Sequence, residues 1–347
     1  MKKILLCLIM LLALTVSVHA EELVAPAAPD DVQQLIPMEQ TNFGESLWYV
    51  VRSALDSVAP DITQALQVCL TVIAAILLIS MFRGFQDNAR PVTELVTTVA
   101  LATILLMGTN SLIHEGAKTV TRLSDYGKLF IPVMTAALAS QGGVTSAGAI
   151  YAATAMFDSV LTALIGGLFV PMVYIYLALS IANSAIGEDM LKKLRDFMKW
   201  LVGWSLKTLL YIFTGYVTVT GVISGVTDAT AIKAAKLTIS GAVPVIGGIL
   251  SDASEAILVG AGAIKNSLGV AGLLAVLAIV IGPFLRIGVH YLLLKLTAAV
   301  TSVFSDNKSA ALIQDFSSAM GLLLAMTGTV CVMLLISTVC MMRGISL

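Results

Sequence analysis

The chain has 347 residues, of which 58% are hydrophobic and 12% charged, and its formal net charge is −1. Soluble domains carry about 25% charged residues, so most of this exterior must face lipid. The near-neutral charge gives no reason to expect a protein that binds nucleic acid through a basic surface. The four cysteines form no CxxC pair and no cluster with histidine, so the sequence predicts neither a metal site nor a disulfide framework.

The N-terminus has the three parts of a secretory signal peptide. Met1-Lys2-Lys3 precedes an apolar run, and Val18-His19-Ala20 supplies a small-residue cleavage site. We therefore predict a signal peptide over 1–20; the alternative is an uncleaved first transmembrane helix. Residues 21–43 are rich in proline and acidic residues, which predicts a disordered extracytoplasmic tail.

Apolar runs after the tail predict an all-α, polytopic integral membrane helical bundle. Residues 44–116 are expected to hold an interfacial helix and two spans, because 62–82 and 92–113 are each about 20 residues long, enough to cross a bilayer. Four later runs bring the predicted number of crossings to about six: 149–183, 200–223, 268–304 and 317–342. Pro171 and Pro283 interrupt two of these runs, which predicts kinked helices.

The basic residues predict the orientation of the bundle. The signal peptide places the mature N-terminus outside, so the loop at 83–91 falls inside. The basic residues within 192–199 also fall inside, as the positive-inside rule requires, provided that 118–143 does not cross. We therefore predict that 118–143 and 240–264 are re-entrant or interfacial.

The proline spacing predicts an internal tandem repeat. Two pairs of prolines have the same 39-residue separation, Pro132 with Pro171 and Pro244 with Pro283. With a small extra offset, Leu194-Arg195-Asp196-Phe197 pairs with Ile313-Gln314-Asp315-Phe316. We predict repeat unit 1 over 117–226 and repeat unit 2 over 227–347, each with a broken segment, a kinked span, a short loop and a final span. The loop of the first unit is basic and cytoplasmic. Such repeats are frequent in transporters.

The most distinctive stretch of the chain is Ser240–Gly269. Its small residues permit close backbone approach, and a Pro/Gly break precedes Ser251-Asp252, which can cap the following helix. This pattern is typical of a packed re-entrant helix pair, and it also fits a constriction or docking surface on the outer side. The candidate residues of this surface are Pro244, Gly247, Gly248, Ser251, Asp252 and Glu255.

Ionisable residues inside apolar runs are the other candidates, because a charge in hydrocarbon costs at least about 2.5 kcal/mol. They are Asp158, Lys207, Arg286 and His290. We predict that Asp158 forms an ion pair with Lys207 or Arg286. Two alternatives stay open, namely that Lys207 snorkels to the interface and that Arg286 marks a membrane boundary.

The sequence contains no catalytic constellation. His114-Glu115 is not followed by the second histidine of a metalloprotease motif, and neither a P-loop nor a nucleophile elbow is present. We predict a protein that is not an enzyme and has no cofactor, so that any energy input comes from a partner or a gradient.

The signal peptide, the multi-pass organisation and the run from Gly241 to Ala253 resemble the stage III sporulation protein AE family of endospore-forming bacteria. The resemblance covers nearly all of the mature chain. It implies a protein of the mother-cell membrane around the forespore, acting as one subunit of a channel or secretion-like complex. The implied partners are other stage III sporulation membrane proteins, including a separate ATPase, ring-forming subunits and a forespore protein. Two alternatives are a stand-alone transporter or permease for a small solute and a non-conducting assembly scaffold.

Overall fold

A computed structural model of the chain describes residues 25–33, 43–83, 90–242, 247–304 and 307–343. Within these ranges, the side chains of residues 31, 81–93, 221–229, 231–264, 307 and 343 lie outside the description. The predictions for the signal peptide and for most of the tail therefore fall outside the described residues.

The described residues form helices and short turns without any strand, which confirms the all-α fold class. The helices are α1 (Asp30–Gln33), α2 (Phe43–Arg83), α3 (Arg90–Ser140), α4 (Val144–Leu164), a π-helical turn (Ile165–Phe169), α5 (Val170–Ile186), α6 (Asp189–Ala242), α7 (Gly247–Phe304) and α8 (Asn307–Arg343).

Among the described residues, five helical stretches are long and apolar enough to cross a membrane, which confirms a multi-pass membrane protein. They are Phe43–Ser80, Glu94–Ser140, Val144–Ile186, Lys265–Phe304 and Lys308–Met342. The predicted crossing at 200–223 lies within α6, whose last turns have no described side chains, and it stays a prediction.

The long helices run back and forth between two ends of the bundle. At one end, Lys308 Nζ donates to Glu94 Oε2 at 2.9 Å and Ser184 Oγ donates to the Lys308 carbonyl at 3.5 Å. Gly187 ends α5 there with φ +81°, a left-handed conformation that favours glycine. We call this the Gly187 end, and we call the opposite end, where Gly142 joins α3 to α4, the Gly142 end.

The first two long helices are more continuous than the sequence suggests. Residues 44–60, predicted as an interfacial helix, are the first turns of α2, and Pro60 lies inside it. Residues 118–140 continue α3 through Pro132, which corrects the prediction of a separate re-entrant or interfacial segment at 118–143. The physical reason is that a proline removes one backbone hydrogen bond, whereas a chain reversal leaves many groups to be satisfied.

The last helix lies at the centre of the bundle. Helix α8 packs against α3, α4, α5, α6 and α7, and its apolar stretch is the most buried of the five. Helix α2 is peripheral, packing mainly on α7, and its apolar stretch is the least buried. The predicted unit boundaries at 116/117 and 226/227 fall inside α3 and α6, so no linker separates the predicted units.

A π-helical turn, which contains Gly166 and Gly167, lies just before the interruption predicted at Pro171. The Val170 N–H bonds to the Ile165 carbonyl, five residues back, at the point where Pro171 supplies no N–H. This change of register lets α4 and α5 follow each other without a loop.

Candidate functional site

A buried charge cluster joins three helices near the Gly187 end. Arg195 NH1 donates to Asp315 Oδ2 at 2.6 Å, and the Tyr176 hydroxyl donates to the other Asp315 oxygen at 3.2 Å. Arg195 and Asp315 are each 8% exposed, and Asp196 also accepts from Arg195 at 2.8 Å. Burial alone would lower the pKa of the Arg195 guanidinium, but the Asp196 hydrogen bond and the charges of Asp315 and Asp196 outweigh it and raise that pKa. The cluster fastens α6 and α5 to the central helix α8.

A second cluster lies further along the bundle and joins α2, α3 and α7. Arg286 Nε donates to Asp61 Oδ2 at 2.7 Å, and Arg286 NH1 donates to Glu115 Oε1 at 2.5 Å. The three side chains are between 25% and 35% exposed. One guanidinium can serve two carboxylates because its N–H groups form a fixed fork. Helix α2 is therefore attached to the bundle by charge as well as by apolar packing.

The third polar site surrounds Asp158 on α4. Ser124 Oγ donates to Asp158 Oδ2 at 2.6 Å, and Asp158 is 5% exposed. No donor within the described part of the chain reaches its second oxygen, Oδ1. One turn away, Thr154 shares a 2.8 Å hydrogen bond with Ser337 of α8. The site thus holds a buried carboxylate with a single neutral hydrogen-bond donor.

Two of the cavities that adjoin α4 contain polar side chains. One, of about 110 Å³, adjoins Asp158 and is also lined by Lys128, Pro132, Tyr151, Thr154 and Ser159. The other is a wider groove of about 410 Å³ next to the π-helical turn, lined by His114, Lys118, Thr121, Thr162 and Gly166.

Comparison with known proteins places the chain in a family. The family profile described as "Stage III sporulation protein AE (spore_III_AE)" matches residues 31–344. The chain belongs to the stage III sporulation protein AE family. A curated relative, "Stage III sporulation protein AE" of Bacillus subtilis (strain 168), is 23% identical over 236 residues, which is 67% of this chain and 58% of the relative. The chain thus matches little more than half of that relative's length, and no solved structure matches it.

The structure corrects the predicted ion pair of Asp158. In this stage III sporulation protein AE family member, Arg286 is engaged by Asp61 and Glu115, Lys207 is exposed, and Asp158 bonds to Ser124. The packing of the helices determines which of these side chains meet. The separation of two residues along the sequence does not predict whether they form an ion pair. His290 lies one turn beyond Arg286, and its Nδ1 is 2.9 Å from the Arg286 carbonyl. His290 and Arg286 are thus near one another, whereas Asp158 belongs to another part of the bundle.

Most side chains of the predicted surface within Ser240–Gly269 lie outside the description. Pro244 falls in the undescribed segment between α6 and α7, and the side chains of Gly247, Gly248, Ser251, Asp252 and Glu255 are not described. Residues 247–264 are the first turns of α7, and this part of α7 lies toward the Gly142 end, because Gly272 packs against Phe130 of α3.

Sequence reasoning missed the Arg195–Asp315 pair as a site. The sequence contains a signal, because the two predicted repeats align Leu194-Arg195-Asp196-Phe197 with Ile313-Gln314-Asp315-Phe316. The structure brings these two segments into contact through Arg195, which binds both aspartates. No local pattern could have identified Asp61 and Glu115, which lie 225 and 171 residues from Arg286.

Proposed function

We propose that the chain is a multi-pass subunit of a channel or secretion-like complex between the mother cell and the forespore, required for endospore formation. It would reside in the mother-cell membrane around the forespore, with its mature N-terminus outside the cytoplasm. Membership of the stage III sporulation protein AE family supports a role in sporulation. Partners would be other stage III sporulation membrane proteins, including a separate ATPase and ring-forming subunits.

The observation that supports a subunit of a larger assembly is the length of the apolar exterior. Val144 and Ile186, at the two ends of the α4–α5 rod, are 66% and 65% exposed. They are 42 residues apart, about 63 Å along a helix axis, whereas the hydrocarbon core of a bilayer is about 30 Å thick. Placing both residues inside the hydrocarbon core would require the α4–α5 rod to tilt by about 60° from the bilayer normal, beyond the 0–40° seen for transmembrane helices.

Part of this apolar surface must therefore be covered by something other than lipid. The positive-inside rule places the Gly187 end, with the basic residues of 192–199, on the cytoplasmic side. The stretch outside the bilayer is then at the Gly142 end, where Leu129, Val144 and Met156 are all exposed. An exposed apolar surface outside the bilayer is typical of a protein interface. We assign the candidate surface of Ser240–Gly269 to the same region.

Site-specific photo-crosslinking in sporulating cells tests this proposal. A photoreactive residue at Val144 or Met156 should form adducts with other sporulation membrane proteins, whereas one at Val99, near the Gly187 end, should label lipid. Replacing Val245–Leu250 by polar residues should remove the adducts and block spore formation while membrane insertion persists. Normal sporulation of that variant, or solute transport by the purified chain alone, would contradict a role as a complex subunit.

A further inference from the structure

We propose that the cavity beside Asp158 is a binding site for a monovalent cation of the size of Na⁺, held by oxygen atoms of α3 and α4. The cavity measures about 110 Å³, which is room for a small ion and several of its ligands. Nothing in the proposed role as a complex subunit requires such a site, so the two proposals stand or fall separately.

The first ligand is the carboxylate of Asp158. It is nine-tenths buried, and Ser124 occupies only Oδ2, so Oδ1 is the oxygen left for an ion. A buried carboxylate with one neutral donor is costly unless a positive charge lies beside it. Lys128 lines the same cavity, but its Nζ is 2.9 Å from Asp125, and both side chains are more than 60% exposed. The charge of Lys128 is thus already balanced, and an ionised Asp158 gives the cavity a net charge of −1 for a cation to neutralise.

The second ligand is a main-chain carbonyl freed by proline. Pro132 lies inside α3 and has no N–H, so the carbonyl of Lys128, four residues earlier, lacks its usual helical donor. Both residues line the cavity. Carbonyls freed at helix interruptions are found where they line a cavity, and in transporters they coordinate Na⁺.

Hydroxyl groups complete the set, because Thr154 and Ser159 line the cavity as well. All of these ligands are oxygens, which suits a hard cation. A divalent ion such as Ca²⁺ needs six to eight oxygen ligands with several carboxylates. Here the cavity contains one carboxylate, and the described residues hold no group of three or more His, Cys, Asp or Glu side chains that could bind a metal. A cavity with a single carboxylate therefore favours a monovalent cation over a divalent one.

The test is the thermal unfolding of the full chain in detergent, in NaCl, KCl or choline chloride at equal ionic strength. Sodium at about tenfold its Kd should raise the unfolding midpoint by about 2–4 °C relative to choline. The Asp158→Asn variant should lose this shift, and the matched variant Asp56→Asn, an exposed aspartate on α2, should retain it.

A second variant probes the carbonyl without removing charge. Pro132→Ala supplies an N–H to the Lys128 carbonyl, so it should raise the midpoint in choline and weaken Na⁺ affinity by about tenfold. A higher midpoint in choline shows that the variant is folded, and the weaker Na⁺ affinity then reports the loss of the carbonyl ligand. The proposal is overturned if the wild-type midpoint is the same in all three salts, or if Asp158→Asn keeps the full Na⁺ shift.

Discussion

Charged side chains within this bundle act mainly as bridges between helices. Arg195 and Arg286 each bind two carboxylates. Arg195 binds Asp196 of its own helix and Asp315 of α8. Arg286 binds Asp61 of α2 and Glu115 of α3. Between them the two arginines connect α6 to α8 and α7 to both α2 and α3. A lysine presents a single compact charge and could not reproduce the forked contacts of Arg286. Asp158 differs from these residues because its described hydrogen-bond partner is a neutral hydroxyl.

We predict that Asp315→Ala lowers the free energy of unfolding by about 3 kcal/mol, because it leaves the buried Arg195 guanidinium with only its exposed partner Asp196. Asp125→Ala, which removes an exposed partner of Lys128, should cost less than about 1 kcal/mol. Chemical unfolding of the two detergent-solubilised variants measures both. Equal costs for the two variants would show that Asp315 contributes no more than a surface charge.

The positions of the long helices were predictable from the sequence, but their continuity was not. Runs of about 20 apolar residues mark spans because the bilayer demands that length. Pro60 and Pro132 suggest helix ends, yet both lie inside helices, because neighbouring packing outweighs one lost hydrogen bond. Asp158 was recognised as a buried charge from its apolar context alone. Its partner Ser124 was not, because their contact depends on how α3 packs on α4.

Helix packing itself depends on small residues at close approaches. A Cβ at Gly272 would overlap the Phe130 ring, whereas a Cβ at Gly282, in the same helix, would meet nothing within 4 Å. We predict that Gly272→Ala destabilises the bundle by about 1–3 kcal/mol through overpacking. Gly282→Ala should be neutral or slightly stabilising, since alanine favours helix. The unfolding midpoints of the two variants provide the comparison, and Phe130→Leu should rescue Gly272→Ala if the clash is the cause.

Taken as a whole, the molecule is a bundle about twice as long as a bilayer is thick. Helix α3 has 51 residues, about 75 Å, with apolar turns near both ends. Between them lie six ionisable residues: His114, Glu115, Lys118, Arg122, Asp125 and Lys128. Arg286 meets Glu115 at the start of this polar region, which fits the alternative that Arg286 marks a membrane boundary. With the proposed orientation, the Arg195–Asp315 cluster would lie near the cytoplasmic side, and the Asp158 cavity would lie beyond the opposite boundary of the hydrocarbon.

This arrangement predicts which end of the bundle is accessible from outside. Glu188 is adjacent to Gly187, Gln141 is adjacent to Gly142, and the α4–α5 rod that separates these ends spans 43 residues, about 65 Å. In a background with Cys69, Cys331 and Cys340 replaced by alanine, an impermeant maleimide should label Gln141→Cys in intact vegetative cells that express the chain. Glu188→Cys should react only after the cells are permeabilised, because the positive-inside rule assigns the basic residues that follow it to the cytoplasm. Labelling of Glu188→Cys in intact cells would reverse the orientation of the bundle and move the partner-binding surface to the cytoplasmic side.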